Sequence, residues 1–85
     1  LQEGRLEESI ELFMKAANGM PDNVVVNLNT AYSVIMQMKK TGKVKKYMAR
    51  ARKYLERVHQ LDPGNRKYPE LLDMIRKISD QREAA

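Results

Sequence analysis

A segment that occurs twice places the strongest constraint on how this chain folds. Residues 9–21 return as residues 51–63, with similar residue types at the same offsets. Each copy has a small residue, a large apolar residue four positions later and a proline eight positions after that: Ser9, Phe13 and Pro21, then Ala51, Leu55 and Pro63. Apolar residues at helical spacing, followed by a proline, indicate a helix and then a turn. The chain is therefore predicted to repeat one helical unit.

Length and composition limit the classes of protein to consider. The chain has 85 residues, 42% of them hydrophobic, which corresponds to one small domain near the lower size limit for a self-sufficient core. We therefore expect no enzyme. The absence of cysteine excludes disulfides and thiolate metal sites and is typical of a cytoplasmic protein. No apolar run approaches the roughly 20 residues of a membrane-spanning helix, so we expect no membrane partner.

Apolar periodicity and helix-ending residues predict four helices, at about 5–18, 24–40, 43–61 and 67–79. Gly4 is expected to lie in a turn before the first helix. Asn18 and Gly19 should end that helix with a left-handed cap, and Asp22 or Asn23 should cap the second helix. The fold class that follows is all-α.

The residues expected to face the core form one stripe on each helix. The four stripes are Leu6, Ile10, Phe13, Ala17 and Met20; Val25, Leu28, Tyr32 and Ile35, flanked by Ala31 and Met38; Val44, Met48, Ala51, Leu55 and Val58; and Tyr68, Leu71, Leu72, Ile75 and Ile78. The second stripe outweighs the strand propensity of residues 24–26, because it continues at helical spacing to the end of the segment.

The offsets of the repeated segment resemble one half of a tetratricopeptide repeat, a helical hairpin of about 34 residues that stacks into solenoids. The residues that carry the resemblance are Gly4, Leu6, Ser9, Phe13, Ala16 and Pro21, then Asn27, Leu28, Ala31 and Tyr32, and finally Ala51, Leu55, Val58 and Pro63. The resemblance implies antiparallel helical hairpins in a right-handed TPR-like solenoid. The sequence departs from the family in two ways: Asn29 replaces the usual glycine, and the two prolines are 42 positions apart.

The same resemblance divides the single domain, residues 1–85, into units. Residues 1–21 are similar to the second half of a repeat, 24–65 to one full repeat with an extended hairpin, and 66–79 to the first helix of a third repeat or a capping helix. Residues 80–85 should be a frayed tail. Because the chain lacks an initiator methionine and begins like the end of a helix, we interpret it as a fragment of a longer protein.

Two registers of the second helix fit the repeat. The shifted match, which we prefer, turns Leu28 and Tyr32 to the core. The ungapped match instead buries a face that is polar for a core. In the preferred register, a groove for a protein or peptide partner would be lined by Asn27, Thr30, Val34 and Gln37. Further lining would come from helix four, at Glu70, Asp73 and Lys77.

Asn27 has a specific role under this resemblance. It matches the asparagine that in many family members hydrogen-bonds the backbone of a bound peptide, and an amide can both donate and accept. The resemblance therefore implies a non-catalytic module for protein–protein interaction. The half repeat and the extended hairpin also resemble the C-terminal helical segment of some bacterial response regulators. That likeness would make the module an output or regulatory segment in signal transduction.

Positive charge is concentrated in one part of the chain. Residues 39–57 carry a net charge of +8, whereas residues 1–38 carry −3. The candidate basic patch is Lys39, Lys40, Lys43, Lys45, Lys46 and Arg50. Three interpretations remain open: a solvated face, a surface for an acidic protein, and salt-sensitive binding of nucleic acid. Of the three, nucleic acid is the partner that we least expect.

No motif for catalysis or for a cofactor is present. His59 is the single histidine and has no metal-ligand spacing around it, so we expect it to stabilise the end of a helix. No glycine-rich phosphate loop and no nucleophile motif occurs. We predict no catalytic residue, no metal and no cofactor.

The first helix is also predicted to associate with a second copy. In the family, a preceding helix would cover the side of helix one that carries Leu12 and Ala16. Without that helix, an apolar side is left exposed, and such sides tend to find a partner. We expect a two-fold homodimer through helix one.

Overall fold

The computed structural model describes residues 2–84, with side chains described for residues 8–81. It contains four helices and, among the described residues, no strand: α1 (Gln2–Gly19), α2 (Val24–Thr41), α3 (Val44–Leu61) and α4 (Lys67–Ala84). The prediction of an all-α fold with four helices is confirmed. Within the same part of the chain, no helix is long and apolar enough to cross a bilayer.

Two helix ends lie more than one residue from the predicted bounds. Gly4 lies inside α1 and not in a turn before it, because one glycine costs a helix only about 1 kcal/mol. Residues 80–84 continue α4 beyond its predicted end at residue 79. Most of these residues are strong helix formers, which allows the helix to extend. Residue 85 lies outside the described residues.

Side-chain and backbone caps fix where α2 and α4 begin and where α2 ends. The Val26 N–H donates to Asn23 Oδ1 at 3.0 Å, so Asn23 is the N-cap of α2. Asn65 accepts in the same way at the start of α4, from the Lys67 N–H at 2.9 Å. Gly42 ends α2 in the left-handed conformation, with φ at +73°, and its N–H donates to the carbonyl of Met38.

The end of α1 differs from the predicted left-handed cap. Gly42 is the one described residue with a positive φ, so Gly19 is not left-handed. The helix ends instead with the Met20 N–H donating to the Ala16 carbonyl at 2.9 Å. The Asn18 side chain is used elsewhere, because its Oδ1 accepts a hydrogen bond from the Tyr54 hydroxyl on α3 at 3.2 Å.

Helix α2 lies at the centre of the fold and contacts the other three helices. A turn of two residues, 42–43, joins it to α3. The length beyond a usual repeat therefore lies in longer helices, of 18 residues each, and not in a longer loop. Thr30 on α2 contacts the carbonyl of Phe13 on α1, and Asn27 near the start of α2 contacts Arg57 near the end of α3. With short turns between consecutive helices, α2 therefore runs antiparallel to both.

The core lies where α2 meets its neighbours. The buried apolar residues are Ile10 and Ala17 on α1; Ala31, Val34, Ile35 and Met38 on α2; Tyr47, Ala51, Tyr54, Leu55 and Val58 on α3; and Leu71, Ile75 and Ile78 on α4. Most of the stripes predicted for α3 and α4 are thus confirmed. Tyr47 and Tyr54 join the core unexpectedly, whereas Val44, Met48, Tyr68 and Leu72 are only partly buried.

The predicted register of α2 is wrong. Val25 is 65% exposed and Tyr32 is 49% exposed, although both were expected to face the core. The face predicted to line an open groove is buried instead: Asn27, Thr30, Val34 and Gln37. The structure therefore has the ungapped register, in which the more polar face of α2 packs inward.

Hydrogen bonds to backbone carbonyls explain why a polar face can be buried here. Asn27 Nδ2 donates to the carbonyls of Asn23 at 2.8 Å and of Pro21 at 3.2 Å. Thr30 Oγ1 lies 2.8 Å from the carbonyl of Val26 and 3.1 Å from that of Phe13 on α1. A buried polar group with partners avoids the cost of desolvation, so these two residues are compatible with a core.

The predicted stripe of α1 is also only partly correct. Ile10 and Ala17 are buried, but Phe13 is 40% exposed and Met20 is exposed. Leu6 lies outside the described side chains. Helix α1 is therefore turned so that one apolar side faces the core and a second apolar side faces away from it.

Candidate functional site

Exposed apolar side chains concentrate on α1 and α2 and the turn between them. Among the described side chains, seven large hydrophobic residues are exposed, and only Leu61 lies elsewhere. The other six are Leu12, Phe13, Met20, Val25, Tyr32 and Met36. Three of the six, Phe13, Tyr32 and Met36, line one concave surface, and exposed apolar residues that lie together mark an interaction surface, whereas single ones need no explanation. Tyr32 lines a concavity on each side of α2.

The first concavity is a groove of about 340 Å³ between α2 and α4. The residues that line it include Leu28, Asn29 and Tyr32 on α2 and Lys67, Glu70 and Met74 on α4. Lys67 and Glu70 form an exposed ion pair at 3.6 Å. The groove combines an apolar interior with one amide and two charges.

The second concavity is a cavity of about 460 Å³ between α1 and α2. Its lining includes Ser9 and Phe13 on α1 and Tyr32, Met36, Gln37 and Lys40 on α2. Gln37 is only 2% exposed, and neither atom of its amide has a hydrogen-bond partner in the described structure. An unpartnered buried amide costs roughly 1 to 3 kcal/mol, so Gln37 lowers the stability of the fold beside this cavity.

The residues predicted to line the partner groove occupy other positions. Asn27, Thr30 and Val34 are buried in the core and present no surface to a partner. Gln37 is buried as well, but it borders the cavity between α1 and α2. On α4, Glu70 lines the groove, whereas Asp73 and Lys77 pair with each other at 3.1 Å on the exposed side of the helix.

The predicted basic patch is distributed over several surfaces. Lys39 and Lys40 lie in the last turn of α2, where positive charge suits the helix dipole. Lys43 lies in the turn and Lys45 in the first turn of α3, and both are exposed. The last two, Lys46 and Arg50, line a small concavity beside α1 together with Glu11.

Three cations within residues 39–57 lie over tyrosine rings of the same chain. The Lys46 ammonium is 5.3 Å from the centre of the Tyr47 ring. The Tyr54 ring has two such neighbours, Lys53 at 5.5 Å and Arg57 at 5.2 Å. Such contacts contribute about 0.5 to 1 kcal/mol each at exposed sites. Part of the positive charge is therefore engaged within the fold.

His59 has an aromatic neighbour. Its ring stacks on that of Tyr68 with centroids 4.5 Å apart and an interplanar angle of 22°, which connects α3 to the start of α4. It also lies in the last turn of α3, where a histidine suits the helix dipole. Among the described residues, no group of three or more histidine or acidic side chains is arranged to hold a metal ion.

The groove between α2 and α4 was missed by sequence reasoning, although the repeat contains the signal. Leu28, Asn29 and Tyr32 line it from α2, and the residues 42 positions later, Glu70, Leu71 and Met74, line it from α4. Both helices thus use equivalent positions. Applying the offset of 42 without a gap would have paired these positions on α2 and α4.

Comparison with known proteins found no matching family model, no significantly similar curated protein and no significantly similar solved structure. The resemblance to tetratricopeptide repeats therefore rests on the sequence pattern described above.

Proposed function

We propose that this chain is a non-catalytic module that binds a protein or peptide partner at the groove between α2 and α4. The observation that carries the proposal is the exposure of Tyr32. This large aromatic side chain is half exposed on the central helix of the fold and lines a concave surface. Aromatic residues in concave, largely apolar sites dominate the binding energy of many protein interfaces.

The lining of the groove indicates what kind of segment it accepts. Leu28, Tyr32 and Met74 offer apolar contacts to one side chain of a partner. Methionine adapts its shape to different ligands. Asn29 is exposed beside them and can donate to and accept from a peptide backbone. The expected ligand is a peptide segment with an apolar anchor.

The groove is also well supported by the fold. Helix α2 is fixed in its register by the hydrogen bonds of Asn27 and Thr30, which are buried on the side away from Tyr32. A surface that is already ordered before binding loses less conformational entropy when a partner arrives. Tyr32 therefore lies on a preorganised support.

A selection of peptide ligands tests this function. Peptides that bind the wild-type chain would be selected from a random display library, and their affinities measured for two variants. Tyr32→Glu should weaken binding by roughly 30-fold, the effect of losing a hot-spot contact of about 2 kcal/mol. Leu61→Glu is the matched control, because Leu61 is exposed outside α1 and α2. Equal affinity for Tyr32→Glu and the wild type would contradict the proposal.

Electrostatic binding of nucleic acid or of an acidic protein through residues 39–57 is the second candidate. Its support is the exposure of Lys43 and Lys45 at the turn between α2 and α3. Titration of a labelled oligonucleotide at two salt concentrations tests it, because phosphate contacts weaken steeply with salt. Weak binding that is insensitive to salt would exclude this candidate.

The weaker sequence resemblance suggests a cellular context. In that context the module is the output or regulatory segment of a bacterial response regulator in the cytoplasm. The native protein would then contain a receiver domain that accepts a phosphoryl group. Treatment of the purified native protein with a small phosphodonor should increase its intact mass, and an unchanged mass would contradict this assignment.

A further inference from the structure

The two copies of the repeated segment differ in how much of their apolar side is covered. On α3 four positions of the repeat are buried: Ala51, Tyr54, Leu55 and Val58. The residues 42 positions earlier on α1 are Ser9, Leu12, Phe13 and Ala16, and none of them is buried. Leu12, the equivalent of buried Tyr54, is 68% exposed. The same side of the repeat is thus covered in one copy and open in the other.

The helix that packs on this side of α3 indicates what kind of element would pack on the open side of α1. Helix α2 makes the most extensive contact with α3 and runs antiparallel to it. The equivalent place beside α1 is the cavity of about 460 Å³ that Ser9 and Phe13 border. A helix that lies antiparallel to α1 in this cavity would give α1 the cover that α2 gives α3.

We propose that the occupant is α1 of a second copy of this chain, in a two-fold symmetric dimer. The open side of α1 is an amphipathic stripe of the kind that such a site accepts, with members at helical spacing: Ser9, Leu12, Phe13, Ala16 and Met20. Phe13 belongs both to this stripe and to the lining of the cavity. The stripe and its binding site are therefore contiguous, which is the condition for a self-complementary two-fold contact.

Charges beside the stripe agree with this antiparallel arrangement. Glu8 and Lys15 are exposed and lie next to Leu12 on the flank of the stripe opposite Phe13. When two α1 helices pair antiparallel about Leu12, Glu8 of each copy comes close to Lys15 of the other. The charges on this flank are complementary under two-fold symmetry, whereas a parallel pairing would place like charges together.

The polar end of the cavity fits the end of an incoming helix. Gln37 and Lys40 lie at the same end of the cavity as Ser9. An antiparallel partner centred near Leu12 brings its last turn to this end, and the last carbonyls of a helix lack intrahelical donors. Lys40 is exposed at this end and suits the negative end of the helix dipole of the partner.

Sedimentation equilibrium from low micromolar to near-millimolar concentration tests the dimer. We expect the wild-type chain to change from monomer to dimer across this range. Phe13→Glu and Leu12→Glu should each raise the dissociation constant about tenfold or more, because both place a charge in a buried apolar contact. Leu61→Glu is the matched control and should dimerise like the wild type. Circular dichroism melts check folding, and exposed Leu12 gives a variant that leaves the core intact.

A charge exchange tests the antiparallel pairing. Glu8→Lys and Lys15→Glu should each weaken the dimer roughly threefold to tenfold, and the double variant should recover the wild-type constant. A wild-type chain that stays monomeric throughout would overturn the proposal, as would a dimer insensitive to Phe13→Glu or a double variant without recovery. None of these variants changes a residue that lines the groove between α2 and α4. Tyr32 borders both sites, so Asn29→Ala, at a residue that lines the groove alone, distinguishes peptide binding there from the dimer.

Discussion

Arg57 on α3 donates a hydrogen bond from its guanidinium group to Oδ1 of Asn27 on α2, over 3.4 Å. The same nitrogen also donates to Asn18 Oδ1 at 3.2 Å and to the Ala17 carbonyl at 3.4 Å, at the end of α1. One side chain thus connects three helices. Because Asn27 also donates to the carbonyls of the turn before α2, the rotation of α2 about its axis is fixed at this point.

Asn27 is therefore predicted to stabilise the fold. Asn27→Ala should lower the free energy of unfolding by about 1 to 3 kcal/mol, since buried carbonyls and Arg57 lose a partner. Asn29→Ala is the matched control, because Asn29 is an exposed amide on the same helix. Urea denaturation measures both. The control should unfold like the wild type, although its affinity for groove-binding peptides should fall. Equal stability of the two variants would contradict the buried role of Asn27.

The N-cap of α2 provides a second prediction. The sequence left Asp22 and Asn23 as alternatives, and in the structure Asn23 accepts from the Val26 N–H. Asn23→Ala should destabilise the fold by about 0.5 to 2 kcal/mol. Asp22→Ala should have little effect, because Asp22 is an exposed residue of the preceding turn. Thermal melts of the two variants decide between them, and a larger loss for Asp22→Ala would be the contrary result.

The sequence predicted helix positions well because local signals determine them. Periodic apolar residues, the cap at Asn23 and the left-handed Gly42 each act within one or two turns of a helix. The register of α2 depends instead on tertiary partners. Nothing local shows that Asn27 would find Arg57, which is 30 positions away in sequence. The assumption that a core face is apolar therefore assigned Asn27, Thr30 and Val34 to an exposed face, whereas they are buried.

The exposed face of α2 was mispredicted for the same reason. Once Tyr32 was assigned to the core, the groove that it lines with α4 could not be considered. Val25 and Tyr32 are apolar but exposed, whereas the sequence pattern alone predicts that apolar residues at helical spacing are buried. The repeat offset does relate the two sides of this groove, because it pairs Tyr32 on α2 with Met74 on α4.

Alanine substitutions at two glycines test the backbone conformation at the ends of α1 and α2. Gly42 has φ at +73°, and a side chain at this position would strain the backbone, so Gly42→Ala should destabilise the fold by about 1 to 2 kcal/mol. Gly19→Ala should be neutral or stabilising by up to about 1 kcal/mol, because Gly19 has ordinary helical geometry. No atom within 4 Å obstructs an added methyl at either site. Chemical denaturation compares them, and the opposite order would contradict the assigned helix ends.

The buried amide of Gln37 provides a fourth prediction. Gln37→Met should stabilise the monomer by about 1 kcal/mol, because the cost of an unpartnered buried amide is removed and the volume is nearly kept. Gln60→Met is the control on an exposed position of α3, where little change is expected. Urea denaturation at low protein concentration isolates the monomer. Destabilisation by Gln37→Met would indicate that the amide has partners in solution.

The proposed groove between α2 and α4 depends on the register of α2, and thiol labelling measures that register directly. The chain contains no cysteine, so a single cysteine introduced on α2 reports the accessibility of its own position. In the folded Tyr32→Cys variant, the introduced cysteine should react with a thiol reagent almost as fast as in the unfolded chain. A cysteine at Val34→Cys should be protected, because Val34 is fully buried. Protection at position 32 together with rapid reaction at position 34 would contradict the account.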